Sequence, residues 1–201
     1  MRRSAMQAAA LLAALTVCAA PGAAAQAVSL LVGGGIAAPL NDAGRNLDAG
    51  PTVTLGVVAI PTSVPLGFEL SGRWQRIAGS TPEGGIEQPG LQVLDLSANV
   101  LYRLKWSLRA SVRPWVTAGL GAYRLEPVGS GVPAGAEATT RVGLNGGAGI
   151  AVPAGPVALS VEGRFHTIFT RSAHTNLFSS TLALRVPLHR PARREVGFRN
   201  R

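Results

Sequence analysis

Alternation is the feature that most narrows what this chain can become. In "LDLSANVLYRL" (94–104), Leu94, Leu96, Ala98, Val100 and Tyr102 alternate with Asp95, Ser97, Asn99, Leu101 and Arg103. Successive side chains of a strand point to opposite faces, so period two marks a strand with one apolar and one mostly polar face. The pattern recurs in eight segments: 27–37, 51–60, 65–77, 91–104, 112–125, 139–152, 156–169 and 176–188. Turn-forming stretches separate them, among them "NDAGRNLDAGP", "GSTPEGGIEQPG" and "PAGP". The connections alternate long and short, so the strands are expected to run antiparallel, up and down, in chain order.

Two closed architectures suit such strands. A soluble barrel turns its apolar faces inward; a membrane barrel turns them outward. The chain of 201 residues is only 14% charged and has one lysine, whereas soluble domains are about 25% charged. Its polar strand faces are heavy in Gly and Ser, as suits a crowded lumen. Apolar-face aromatics fall near strand ends: Phe68 and Tyr102 at one end, Trp74, Phe169 and Phe178 at the other. They are expected to form two interfacial girdles. The predicted fold class is therefore all-β, an eight-stranded antiparallel up-and-down transmembrane β-barrel, located in an outer membrane.

The N-terminus follows another logic. Arg2 and Arg3 precede the short apolar run "AMQAAALLAALTVCAA", and "APGAAAQA" then supplies small residues for cleavage. Residues 1–25 are expected to be a signal peptide, residues 26–188 the barrel, and 189–201 a basic, flexible tail. Cys18 is the only cysteine, so no intrachain disulfide can form. The formal charge of +9 is no nucleic-acid signature, because Arg2, Arg3 and five C-terminal arginines lie outside the expected barrel.

The body 28–188 resembles the small eight-stranded outer-membrane barrels of the OmpA-like and opacity-like type. The nearest stretches are "LSVEGRFHTIF" (159–169) and "TLALRVPL" (181–188). The resemblance implies that fold, insertion by the barrel assembly machinery, and both termini in the periplasm with the longer loops outside. Family members usually end their last strand on an aromatic residue; here it ends at Leu188.

The expected interior holds charges that must pair, since a lone charge in a packed lumen is costly. Glu69, Arg73, Asp95, Glu162, Arg164 and Arg185 are expected to form an interior salt-bridge network that plugs the lumen. If Phe169 faces Phe178, Glu162 falls opposite Arg185; a second register places Arg73 opposite Asp95. Arg76 and Arg124 lie on the lipid face near the long-loop rim, where they can meet lipopolysaccharide phosphates. His174, Ser172, Ser179 and Ser180 are a weak match to the His–Ser pair of lipid A deacylases. No cofactor or metal is expected: "VGGGI" and "GLNGGAGI" lack the P-loop lysine. The chain reads as a monomeric, non-enzymatic outer-membrane protein with a structural or adhesion-like role and an unknown extracellular ligand. A narrow passive channel is the alternative, and a lipid A-modifying rim enzyme a distant one.

Overall fold

The computed structural model describes residues 26–40, 47–61, 63–79, 88–104, 112–170 and 174–189. The expected signal peptide and nearly all of the expected tail lie outside them. Eight long strands account for most of what is described. They are β1 (Gln26–Leu40), β2 (Gly50–Pro61), β3 (Leu66–Gly79), β4 (Gly90–Arg103), β5 (Arg113–Val128), β6 (Thr139–Ala154), β7 (Val157–Phe169) and β8 (His174–His189). Each coincides with one segment of period-two alternation. A two-residue piece, Leu47–Asp48, extends the sheet beside β3.

Every strand pairs antiparallel with the next, and β8 pairs with β1, so the sheet is closed. The shear follows from the pairing. Starting at Arg185 on β8, the row passes through Leu31, Gly56, Ser71 and Ser97. It continues through Gly121, Gly143 and Ile168 and returns to β8 at Thr175. The return point lies ten residues from the start. Eight strands with a shear of ten tilt by about 40° and enclose a barrel of about 8 Å backbone radius. A strand of 14 residues, such as β3 or β4, then rises roughly 35 Å. That exceeds the apolar band of about 25 Å which such barrels present to lipid.

The apolar faces point out. Leu120 is 65% and Val142 67% exposed, while Gln75 and His166 are fully buried. Of the two architectures compatible with the alternation, the structure is the one with an apolar exterior. The girdle residues Phe68, Tyr102, Phe169 and Phe178 are exposed on that exterior, and Trp74 is partly so. Phe178 pairs with Phe165 rather than with Phe169, which faces His174 instead. The register of β7 against β8 is thus shifted by four residues from the one the aromatic match suggested.

The short connections join strand ends on the rim where the first strand begins at Gln26 and the last ends at His189. In one of them Gly155 adopts φ 65° before Pro156, a left-handed conformation that glycine reaches without strain. Leu120→Arg, at mid-strand on the outer face, is expected to destabilise the barrel by about 2–4 kcal/mol, and Leu188→Arg near the rim by about 0–1 kcal/mol. Urea unfolding in lipid vesicles measures both.

Candidate functional site

The inward faces stack in three layers. Toward the long-loop end, Ile77, Val93, Leu125, Ile168 and Leu177 pack with Tyr123 into an apolar cap. At the opposite end Leu31, Val58, Leu101, Trp115, Ala151 and Ala183 line a second apolar layer. Between them lies a belt of buried polar and charged groups. Period two predicts a uniform inner face; the apolar cap and floor come from exceptions such as Leu101 and Leu177, which stand among polar neighbours.

Arg164 is the centre of the belt. Its Nη2 lies 2.7 Å from Glu69 Oε1, and its Nε donates to Glu162 Oε1 at 2.6 Å. Glu69 stands on β3 and Arg164 on β7, four strands apart in a ring of eight. The pair therefore spans the lumen diameter. Arg73, also on β3, makes a second crossing: its Nη1 lies 2.8 Å from His166 Nε2 and 3.3 Å from Ser179 Oγ. Its Nη2 lies 3.7 Å from Glu162 Oε1, and its Nε donates to Thr54 Oγ1 at 2.9 Å.

A guanidinium only donates, so His166 Nε2 must accept from Arg73. The ring then carries its proton on Nδ1, which meets the Tyr123 hydroxyl at 3.1 Å. Ser71 donates to Glu69 at 3.0 Å and lies 3.3 Å from Ser97, whose hydroxyl donates to Asp95 at 3.2 Å. Gln75 Nε2 adds a bond to Asp95 at 3.4 Å. One connected network thus runs from Asp95 to Tyr123.

Glycine makes room for the aromatic members. A Cβ on Gly121 or Gly143 would come within 2.9 Å of the Tyr123 ring, and one on Gly149 would overlap the Trp115 ring. The polar-face glycines are the flat beds on which these rings lie.

Two expected pairings are replaced by others. Arg73 and Asp95 do face each other in the register. The long arginine nevertheless reaches across to Glu162 and His166, while short Asp95 stays with Ser97 and Gln75. Glu162 faces Thr181, and Arg185 faces Ala158. Arg185 joins no ion pair among the described residues; its guanidinium carbon sits 4.0 Å above the centre of the Trp115 ring. Glu69, Arg73, Glu162 and Arg164 therefore meet in one cluster. Asp95 joins it through hydroxyls, and Arg185 lies apart. His166 and Tyr123 complete the cluster, and only their inward parity signalled them.

On the outer surface, Arg76 and Arg124 are exposed on β3 and β5, one on each side of β4. Arg76 faces Gln92 and Arg124 faces Leu94, so the two flank the same stretch of β4. Arg124 also lies 3.8 Å from Glu126. The His–Ser set of a rim enzyme is dispersed. Ser180 points to lipid, His174 stacks edge-on with Phe169, and Ser172 lies outside the described residues. Ser179 does approach an imidazole, that of His166 at 3.3 Å, but both are sealed inside the belt. Among the described residues no group of His, Cys, Asp and Glu is placed to hold a metal.

Comparison with known proteins agrees with this architecture. A family model described as outer membrane protein beta-barrel domain matches residues 9–186. Neisserial surface protein A is similar at 15% identity and a TM-score of 0.57, covering 79% of this chain and 96% of that one. The outer membrane protein OprG of Pseudomonas aeruginosa is 12% identical with a TM-score of 0.52, over 82% of this chain and 98% of its own. Ail, the attachment invasion locus protein of Yersinia pestis solved with the heparin analogue sucrose octasulfate, is 14% identical. Its TM-score is 0.51, over 80% of this chain and 98% of Ail. No curated protein matches the chain.

Removing one member of a buried ion pair leaves an uncompensated charge. Arg164→Met strands Glu69, leaves Glu162 only its 3.7 Å contact with Arg73, and is expected to cost about 3–5 kcal/mol. The triple variant with Glu69→Gln and Glu162→Gln should recover part of that loss. Unfolding by urea, followed through heat-modifiable gel mobility, reads the difference.

Proposed function

Because the chain belongs to the outer membrane protein beta-barrel domain family, we propose that it serves as a non-conducting outer-membrane barrel. Its role is structural or adhesion-like, and its outward loops are the working surface. The observation that carries this reading is the pair of diametric crossbars, Arg164 to Glu69 and Arg73 to His166. A solute path through the barrel would have to break both, at a level of the lumen already filled by side chains. The neighbouring apolar cap leaves a permeant ion no polar partners. With the belt closed, the loops and the lipid-facing surface are what the chain offers on the outer side of the membrane.

In this reading residues 1–25 are removed on export, the barrel assembly machinery inserts the rest as a monomer, and residues 189–201 trail in the periplasm. The long connections carry Asp42, Glu83, Glu87 and Glu137, against Arg45 and Arg171, and Asp48 and Glu126 stand at the adjoining strand ends. Such a surface suits a cationic partner better than a polysulfate of the kind bound in the Ail structure. Arg76 and Arg124 meet lipopolysaccharide phosphates at the outer rim. Gln92 between them supplies a further hydrogen-bond donor. The chain works without catalysis in this reading: among the described residues the hydroxyls that meet the His166 imidazole, those of Tyr123 and Ser179, are sealed inside the belt.

Planar-bilayer recording of the purified barrel should show no stable open level, and Glu162→Ala should lower heat stability without creating one. A steady unitary conductance in the wild type replaces this reading with the passive channel. Alanine at both Arg76 and Arg124 is expected to reduce lipopolysaccharide co-purification at least twofold, and unchanged co-purification removes that contact.

A further inference from the structure

The belt and cap close the barrel toward the long loops, but the other end is hollow. A cavity of about 470 Å³ opens at the rim that carries the chain ends. Its size falls within the range of small-molecule pockets, about 300–1,000 Å³. Its walls are mostly apolar, with Val58, Leu101, Trp115 and Ala151 among them, while Arg103 and Arg113 line its mouth.

Arg185 lines the same cavity. It is only 9% exposed, and its Nε and Nη2 have no hydrogen-bond partner among the described residues. These two nitrogens form one edge of the guanidinium fork, the edge whose parallel N–H groups match the two oxygens of a carboxylate. The other neighbours do not replace such an acceptor. Trp115 offers Arg185 only its ring face, and the Trp115 Nε1, also buried, has no acceptor either. Leaving a buried donor unmatched costs free energy, more so for a charged one. Arg103 uses its Nη2 on the carbonyls of Pro61 and Val64, at 3.2 and 2.7 Å, which fixes it as part of the mouth.

We propose that this vestibule binds a single-chain fatty carboxylate, its headgroup held by the free fork edge of Arg185 and its chain lying along the apolar wall toward the mouth. The charge pattern supports a monoanion. The belt above holds three carboxylates, Glu69, Asp95 and Glu162, against two guanidiniums, Arg73 and Arg164, which leaves one negative charge over. Arg185, Arg103 and Arg113 add three cations around the cavity, so belt and cavity together carry a positive surplus, and among the described residues its lining includes no Asp or Glu. An acyl chain suits the apolar wall and a carboxylate suits the fork; a nucleotide or sugar would leave most of its polar groups unmatched there. The site is dead-ended at the belt, so it binds without conducting and does not depend on what the outward loops do.

The test uses the barrel in zwitterionic phosphatidylcholine nanodiscs at alkaline pH, with empty nanodiscs subtracted, and dodecanoate as the probe. Calorimetric titration should show saturable binding near one per barrel. Dodecanol should bind at least tenfold more weakly, and acetate should give no signal. Arg185→Gln should weaken dodecanoate at least tenfold, and Arg185→Lys should restore only part of it, since an ammonium lacks the fork. Ala151→Leu, which fills the cavity without touching the charge, should also abolish binding. If Arg185→Gln does not fold, the acid-against-alcohol comparison and Ala151→Leu decide. No saturable signal in the wild type, equal affinity for acid and alcohol, or binding indifferent to Ala151→Leu overturns the proposal.

Discussion

The structure depends on hydrocarbon offering the backbone no hydrogen-bond partner. Every N–H and C=O in the lipid span must be satisfied by the chain itself, and a sheet achieves that only by closing. Pairing of β8 with β1 does this, and its shear of ten residues sets the strand tilt and the radius. The outer face then follows, because a surface bathed in acyl chains must be apolar and uncharged except near the rims. Phe68 and Leu120 are exposed for the same reason that Gln75 and His166 are not.

Closure also decides the interior. A cylinder of about 8 Å backbone radius is narrow enough for side chains rooted on opposite walls to touch. Arg164 and Glu69 do so across the diameter, as do Arg73 and His166. Their mutual attraction compensates for the loss of water, and the hydroxyls of Thr54, Ser71, Ser97 and Ser179 add hydrogen bonds to the charged groups. Small residues are as necessary as large ones. Tyr123 can lie across the bore because Gly121 and Gly143 have no side chain beneath it.

The result is a barrel with two different ends. Toward the long loops it is sealed by the apolar cap and the ionic belt. Toward the chain ends it keeps an apolar vestibule with arginines at roof and mouth. A sealed lumen moves any dealings with other molecules to the loops, the lipid-facing rim or the vestibule. The acidic loops, the outward arginines beside β4 and the unpaired edge of Arg185 are the features with chemistry to contribute there.

Much of this was legible in the residues. Period-two alternation located all eight strands, since strand geometry imposes it residue by residue, and the scarcity of charge and lysine told which face meets lipid. Parity also named the buried ions Glu69, Arg73, Asp95, Glu162, Arg164 and Arg185, because inward and outward positions follow from a local count. Partners were another matter. Local pattern cannot tell how far one strand slides along the next, and Phe178 had two plausible mates on β7; the choice of Phe165 over Phe169 moved Glu162 away from Arg185. Nor can it tell that a long arginine on β3 will prefer the far wall to the aspartate beside it. Those decisions belong to shear and radius, which exist only once the sheet has closed, and so the crossbars and the vestibule were set by the tertiary structure alone.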